Sequence, residues 1–472
     1  MAHQWFQQAD FDAMIALASE EARLYLQQVP DRPVRHQADR ERLLSVLGGS
    51  LATSGAAPEQ IVRQLADTAH WGNVACNSPR YFGFVIGGAY PVSLAADWLV
   101  STWDQNAGIY AISPMVSVIE EVAAGWLLDL FGLPNDAGVG FVTGCQMANF
   151  TCLAAARHGV LRRIGVDVET EGLAGSPRIH VVTSAESHVT IDIALRYLGF
   201  GTRHVHRVAA DAQGRMQPDA LAAMLETLSG PIIVCAQAGN VNTGSFDPLA
   251  EIAALTNAKG AWLHVDGAFG LWAQANPELR HLSRGIELAD SWSTDAHKWL
   301  NVPYDCGVAI VRHANDHRAA MMSTAAYLVQ TAGKERDPTD WGPEFSRRAR
   351  SVPVYATLAS LGRSGVAALI ERSCARARQF AGVLAESPGV DILNDVVLNQ
   401  VLVRFDQDDA RTRAVIAAVQ QEGTCWLGGT VWHGLAAMRI SVSNWATSEA
   451  DVARSAEAIL RCHRMLSASQ SG

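Results

Sequence analysis

The sequence predicts an α/β protein: a large domain on a mostly parallel sheet with helices on both faces, then a small α+β domain at the C-terminal end. Three observations carry this. Short β-branched runs alternate with helical stretches from about residue 138 to 311, the rhythm of strand–helix–strand units. Several runs are apolar throughout, as strands covered on both faces are. Beyond residue 352 strands and helices continue, but that rhythm is lost.

In chain order, Phe11, Met14, Ile15, Ala18, Ala22 and Leu26 recur at helical spacing and predict an amphipathic helix over 9–28, stopped by Pro30 and Pro33. Its apolar stripe needs a surface to cover, such as a partner subunit. Strands are expected at 139–143, 178–183, 203–208, 231–236, 261–266, 290–295 and 306–311. Residues 313–352 mix Gly, Pro and charges without a period, the pattern of a functional flap. A long helix follows at 353–385, then a strand at 398–405, a helix at 410–421, a strand at 437–445 and a last helix at 448–463. The expected domains are a helical arm (1–60), a large domain containing the flap (61–350) and a small domain (351–472).

Composition narrows the class. A chain of 472 residues exceeds one ordinary core. Its net charge is −10 and no basic run of five residues occurs, which argues against nucleic acid and anionic membranes as partners. The most apolar stretch, Gly83 to Val100, is interrupted by Pro91 and Asp97, so no membrane span is expected. The first residues lack the order of a secretory leader. Eight scattered cysteines form no C-x-x-C pair; no metal site is expected, and reduced thiols in a cytoplasm are.

In such sheets ligands sit at the carboxyl ends of the strands. After 139–143 come Thr143, Gly144, Cys145 and Gln146 at the mouth of a helix. Glycine admits close approach, and a helix N-terminus offers free N–H groups that suit a phosphate. The turn has neither the Walker nor the G-x-G-x-x-G pattern, and alone it reads as an ordinary tight turn. After 178–183 comes His188, able to stack on a planar ligand, though alone it reads more readily as a satisfied or half-buried histidine. Asp266 closes an apolar strand beside Gly267 and Ala268, a carboxylate that needs a cation. Lys298 lies between His297 and Trp299; desolvation is expected to lower its pKa and make it a usable amine nucleophile. Phosphate cradle, stacking ring, buried acid and buried lysine on successive strand ends are together what pyridoxal phosphate requires.

With those residues in place, the chain resembles the group II pyridoxal-phosphate-dependent amino-acid decarboxylases, relatives of aromatic-amino-acid, glutamate and diaminobutyrate decarboxylases. The likeness covers roughly residues 10–460. It runs through Ser78-Pro79-Arg80-Tyr81-Phe82, Ile112-Ser113-Pro114, Gly144 to Asn149, His188, Gly239 with Phe246-Asp247, His264-Val265-Asp266, His297-Lys298-Trp299, Tyr327, and Arg347 to Ser351. It implies the type I, aspartate-aminotransferase-like fold, with the active site at a homodimer interface. It implies Lys298 as the lysine that joins the cofactor's aldehyde, Asp266 as partner of the ring nitrogen and His188 as the residue over the ring. Gly144, Cys145 and Gln146 are implied at the phosphate, Ala268 on the other ring face, and Ser291, Asp295 and His297 near the cofactor. Asn240 or Asn242 replaces a threonine near the ring oxygen.

Tyr327 is implied as the proton donor, since members that form aldehydes tend to have Phe there. Phe84, Gly87 and Asn106 are implied in the substrate pocket, where the chain departs from the aromatic enzymes: Gly87 has no hydroxyl, and residues 103–108 are polar and small. Arg439 either clamps a carboxylate or is a structural arginine on its strand. The activity implied is decarboxylation of an L-amino acid with an aromatic or other medium-sized side chain. The alternatives are oxidative decarboxylation–deamination to an aldehyde, or retro-aldol cleavage. A non-catalytic regulatory role is disfavoured by the intact Lys298 and Asp266.

Overall fold

The structure, a computed structural model, describes residues 8–322 and 335–468. Seven strands form the large sheet: β1 (Gly138–Val142), β2 (His180–Ser184), β3 (Val205–Val208), β4 (Ile232–Gln237), β5 (Trp262–Asp266), β6 (Ser291–Asp295) and β7 (Gly307–Val311). Their order is β1-β7-β6-β5-β4-β2-β3. Each lies within two residues of its expected position. β2 pairs parallel with β3 and β4, β4 with β5, and β5 with β6. Only β7 is reversed, antiparallel to both β1 and β6. The connector 296–306 is the reason: a parallel return needs a crossover of about a dozen residues or more, and this one is shorter. That short connector also carries Lys298.

β1, β4, β5, β6 and β7 are buried along their whole length, which accounts for the apolar runs of β1, β4 and β7; β5 and β6 bury polar residues as well. Trp262, Trp272, Trp292 and Trp299 are fully buried core residues. Among the described residues, no helix is long and apolar enough to cross a membrane.

The small domain holds β8 (Val390–Ile392), β9 (Gln400–Phe405), β10 (Gly428–Trp432) and β11 (Leu435–Ser441), antiparallel in the order β10-β11-β9-β8. Helices Ser351–Ala385, Asp409–Glu422 and Glu449–Ala468 accompany them. The sequence reading missed β8 and β10. The first is three residues long, and the second opens on two glycines, which carry no strand signal. The N-terminal segment threads into this domain. Val34 N–H donates to the Gly423 carbonyl at 2.8 Å and Phe82 N–H to that of Trp426 at 2.7 Å. Buried Arg80 donates to the carbonyls of Thr424 and Pro30.

The expected flap is less irregular than its sequence suggests. Ala314–Met321 is a helix, and its buried Asp316 pairs with Arg162 at 3.0 Å. Tyr327 lies outside the described residues. Where the chain resumes, Arg336 and Arg347 both close on Glu120, at 3.2 and 3.0 Å. The Glu120 and Arg347 side chains are each 1% exposed. Replacing Glu120 with Gln would leave two buried guanidinium groups facing a neutral amide. Breaking such a buried pair costs about 3–5 kcal/mol, so Glu120→Gln should lower the urea midpoint by that equivalent, measured by fluorescence of the full chain.

Candidate active site

The carboxyl ends of β5 and β6 meet the connector before β7, and there the polar groups converge. Lys298 Nζ lies 2.8 Å from Asp295 Oδ2. The other oxygen of Asp295 accepts from Cys145 N–H at 2.6 Å, at the first turn of helix Cys145–Arg162. Gly307 makes this possible, because a Cβ there would come within 2.4 Å of the Gly144 backbone. Asp266 accepts from Ala268 N–H at 3.1 Å and Asn149 Nδ2 at 3.2 Å, with Cys145 Sγ at 3.5 Å. These donors offset the cost of burying a carboxylate.

His188 caps helix Val189–Tyr197, and its Nδ1 takes the Thr190 hydroxyl at 2.8 Å. Burial pushes its pKa down, so the ring is neutral. His297 Nδ1 accepts from Cys306 N–H at 3.1 Å, which leaves Nε2 to donate toward Asp295 at 3.5 Å. Tyr304 stacks on His297 with centroids 4.3 Å apart.

Lys298, Asp266, His188 and Ala268 line one cavity of about 180 Å³. Phe84, Val85, Val241 and Phe269 supply apolar wall, and Gln237 and Arg439 polar wall. Phe84 and Val85 have φ of 55° and 57°, a region that strains a β-branched residue. Phe84 also stacks on Trp426 of the small domain at 5.5 Å.

Other expected residues lie elsewhere. Gly87 does not line the cavity; a Cβ there would meet the Lys298 carbonyl at 2.0 Å, so it lets the chain pass behind the lysine. Asn106 is exposed, and its Oδ1 accepts from Arg347 N–H at 3.1 Å. Asn240 is a turn builder, its Oδ1 accepting from Asn242 N–H and Thr243 N–H. Asn242 faces Thr430 and Arg439, at 3.1 and 3.5 Å. Ser291 is buried between Trp262 Nε1 and His264 Nδ1. Half-buried Gln146 sits in the first turn after Gly144. The sequence reading missed Asn149, Thr190 and Ser293, short polar residues whose type alone carries no signal.

The expectation for Lys298 is corrected too. Burial does work to lower its pKa, but Asp295 at 2.8 Å, with Cys145 and Asp266 behind it, outweighs burial and raises the pKa above the ordinary lysine value. In this state the amine is a cation.

An amine, a carboxylate, an imidazole and a methyl group lining one cavity form a donor set that suits a flat, aldehyde-bearing pyridine. Residues 48–406 match the model of the pyridoxal-dependent decarboxylase conserved domain. The chain belongs to the pyridoxal-dependent decarboxylase family. It is 32% identical over 367 residues to the L-2,4-diaminobutyrate decarboxylase of Rhizobium meliloti, covering 75% of this chain and 71% of that protein. It is 29% identical over 361 residues to the acidic amino acid decarboxylase GADL1 of Mus musculus, covering 75% of this chain but 64% of that relative's own length. An Oryza sativa TDC structure with PLP and tryptamine superposes with a TM-score of 0.92 at 23% identity, covering 98% and 100% of the two chains. Mouse CSAD superposes at 0.90 and 23%, covering 97% and 99%. These two show the shared fold. An amine, a buried carboxylate and a neutral imidazole on one cavity wall fit the chemistry of the family's cofactor.

Only a neutral amine attacks an aldehyde, and Asp295 holds the Lys298 amine in its charged form. Asp295→Asn removes the attraction and keeps the burial, so the lysine pKa falls. The pH profile of cofactor capture by the apoenzyme, followed by absorbance, should move to lower pH.

Proposed function

We propose that the chain decarboxylates an α-amino acid to its amine and CO2, and that it favours a substrate carrying a second, side-chain acid. The observation that carries the first half is the single cavity shared by Lys298, Asp266 and His188. Bound there, pyridoxal phosphate supplies an electron sink for the pair left when the carboxylate bond breaks. Lys298 would hold the cofactor and release it to the substrate amine. Asp266 would hold the proton on the ring nitrogen. His188 would cover one ring face through its neutral imidazole, and Ala268 would leave room at the other. Phe84, Val85, Val241 and Phe269 would exclude water from the reacting carbon, where a departing carboxylate is better off unsolvated.

The second half rests on Arg439, on β11. Its guanidinium reaches the cavity, donates only to Asn242 Oδ1 at 3.5 Å, and has no carboxylate partner among the described residues. Burial pushes its pKa down. A half-buried cation with no counter-ion among the described residues is costly, so it favours an anionic ligand. The α-carboxylate must leave, so the group that Arg439 keeps is a second acid. Relatives named for acidic amino acids are among the similar proteins.

The same reading includes assembly and location. Trp98, Leu99, Trp103, Ile112, Met115 and Val118 are exposed on and between helices Pro91–Trp103 and Pro114–Phe131. An apolar patch of this kind marks an interface, and a second copy of the chain in a cytoplasmic homodimer is the occupant proposed. Tyr327 remains the proposed proton donor to the α carbon.

The test incubates the holoenzyme with acidic, aromatic and diamino acids and measures CO2, amine, aldehyde and peroxide together. Acidic substrates should give CO2 and amine in equal amounts with the highest kcat/KM. Arg439→Met should raise KM for them by about 10- to 100-fold, the loss of one charge-assisted bond. A diamino acid outranking them would refute the substrate assignment. Tyr327→Phe should shift product from amine towards aldehyde and peroxide when dioxygen is present; an unchanged amine yield removes Tyr327 from the mechanism.

A further inference from the structure

We propose that Asn149 is the positioning residue of this site. Through a one-way chain of hydrogen bonds from Trp262, it fixes which oxygen of Asp266 faces the ring nitrogen, and through the Thr190 hydroxyl it reinforces the helix cap that keeps the His188 proton on Nε2. This rests on the cofactor reading above.

The chain can be followed from both ends. A carboxylate oxygen only accepts, so the Asn149 atom 3.2 Å from Asp266 Oδ2 is its Nδ2. Its Oδ1 therefore faces His264 Nε2 at 2.9 Å and Ser293 Oγ at 2.5 Å and accepts from both. His264 is fully buried, and burial lowers its pKa to about 4, so the ring is neutral and carries its one proton on Nε2. His264 Nδ1 then accepts from Ser291 Oγ at 3.0 Å. From the other end, an indole N–H only donates, and Trp262 Nε1 donates to that same Ser291 Oγ at 2.9 Å. The hydroxyl is thus free to pass its own proton on to His264. The Asn149 end sets the direction, and the Trp262 end is compatible with it.

The second hydrogen on Asn149 Nδ2 points to Thr190 Oγ1 at 3.4 Å, and that hydroxyl lies 2.8 Å from His188 Nδ1. Thr190 accepts from the amide and donates to the imidazole, beside its own backbone N–H 3.4 Å from the same Nδ1, so the His188 proton sits on Nε2. Asn149 is fully buried and uses all four of its hydrogen-bonding sites. Turning its amide over would set two donors against donors and an oxygen against a carboxylate. A polar group satisfied in this way holds its neighbours in one arrangement.

The test uses the full chain reconstituted with pyridoxal phosphate labelled with nitrogen-15 at the ring. His264→Leu removes the donor to Asn149, and His264→Gln keeps an amide N–H near it. In His264→Leu the ring-nitrogen resonance should move towards the unprotonated position, cofactor Kd should rise about 10- to 100-fold, and kcat should fall with KM little changed. His264→Gln should restore most of all three. Should His264→Leu fail to fold, Ser291→Ala, which deletes one hydroxyl, must show the same changes in smaller measure. Wild-type resonance and Kd in His264→Leu, or in Ser291→Ala where that variant decides, overturns the positioning role while the cofactor reading stands. Wild-type protein that binds no cofactor, leaving no borohydride-fixed adduct on Lys298, overturns both.

Discussion

A buried ammonium–carboxylate contact, Lys298 with Asp295, organises the centre of this molecule. The pair exists because β6 returns to β7 too quickly for a helix to intervene. A short return puts the end of β6 and the lysine three residues on side by side at the carboxyl edge of the sheet. Asp295 also takes the first N–H of helix Cys145–Arg162, so one carboxylate ties strand, connector and helix mouth together. Buried charges survive only with such partners, and the surrounding glycine contacts bring those partners close enough.

Around that pair, specificity of arrangement comes from polar groups that are fully engaged. Asp266 has its donors, and both nearby histidines that flank the lysine and the cavity are neutral and have assigned tautomers. The cavity is therefore built less by shape than by a set of directed bonds, each of which excludes an alternative orientation. Arg439 stands apart as the one cavity cation for which the described residues offer no acid.

The fold was legible because its signals are local: apolar strand runs, helical periodicity and the loss of rhythm before the small domain. The residues at strand ends were legible for the same reason, since topology sends ligands there. Lys298, Asp266, His188 and Ala268 meet in one cavity as their positions suggested. What could not be read was electrostatic and long-range. The sequence shows Lys298 in apolar company but not that Asp295 turns back upon it, so the direction of its pKa shift was misjudged. Gly87, Asn106, Asn240 and Ser291 sit at plausible spacings, yet their side chains or backbones are spent on packing, turns and buried hydrogen bonds. Asn149 is an ordinary helix residue until the fold brings β5 and β6 against it, and Thr190 until it meets Asn149.

Residues 82–85 cross from one hydrophobic core to another. Phe82 packs among the small-domain apolar residues and stacks edge-on with Phe380 at 4.9 Å, whereas Val85 belongs to the large-domain core. The rim of the cavity is thus moored to a different body from its floor. Regions of a protein open separately according to their own local stability. Warming that loosened the C-terminal lobe first would widen the entrance and admit solvent while the lysine and its carboxylate were still in place, so turnover would fade before the chain lost its grip on whatever the lysine holds.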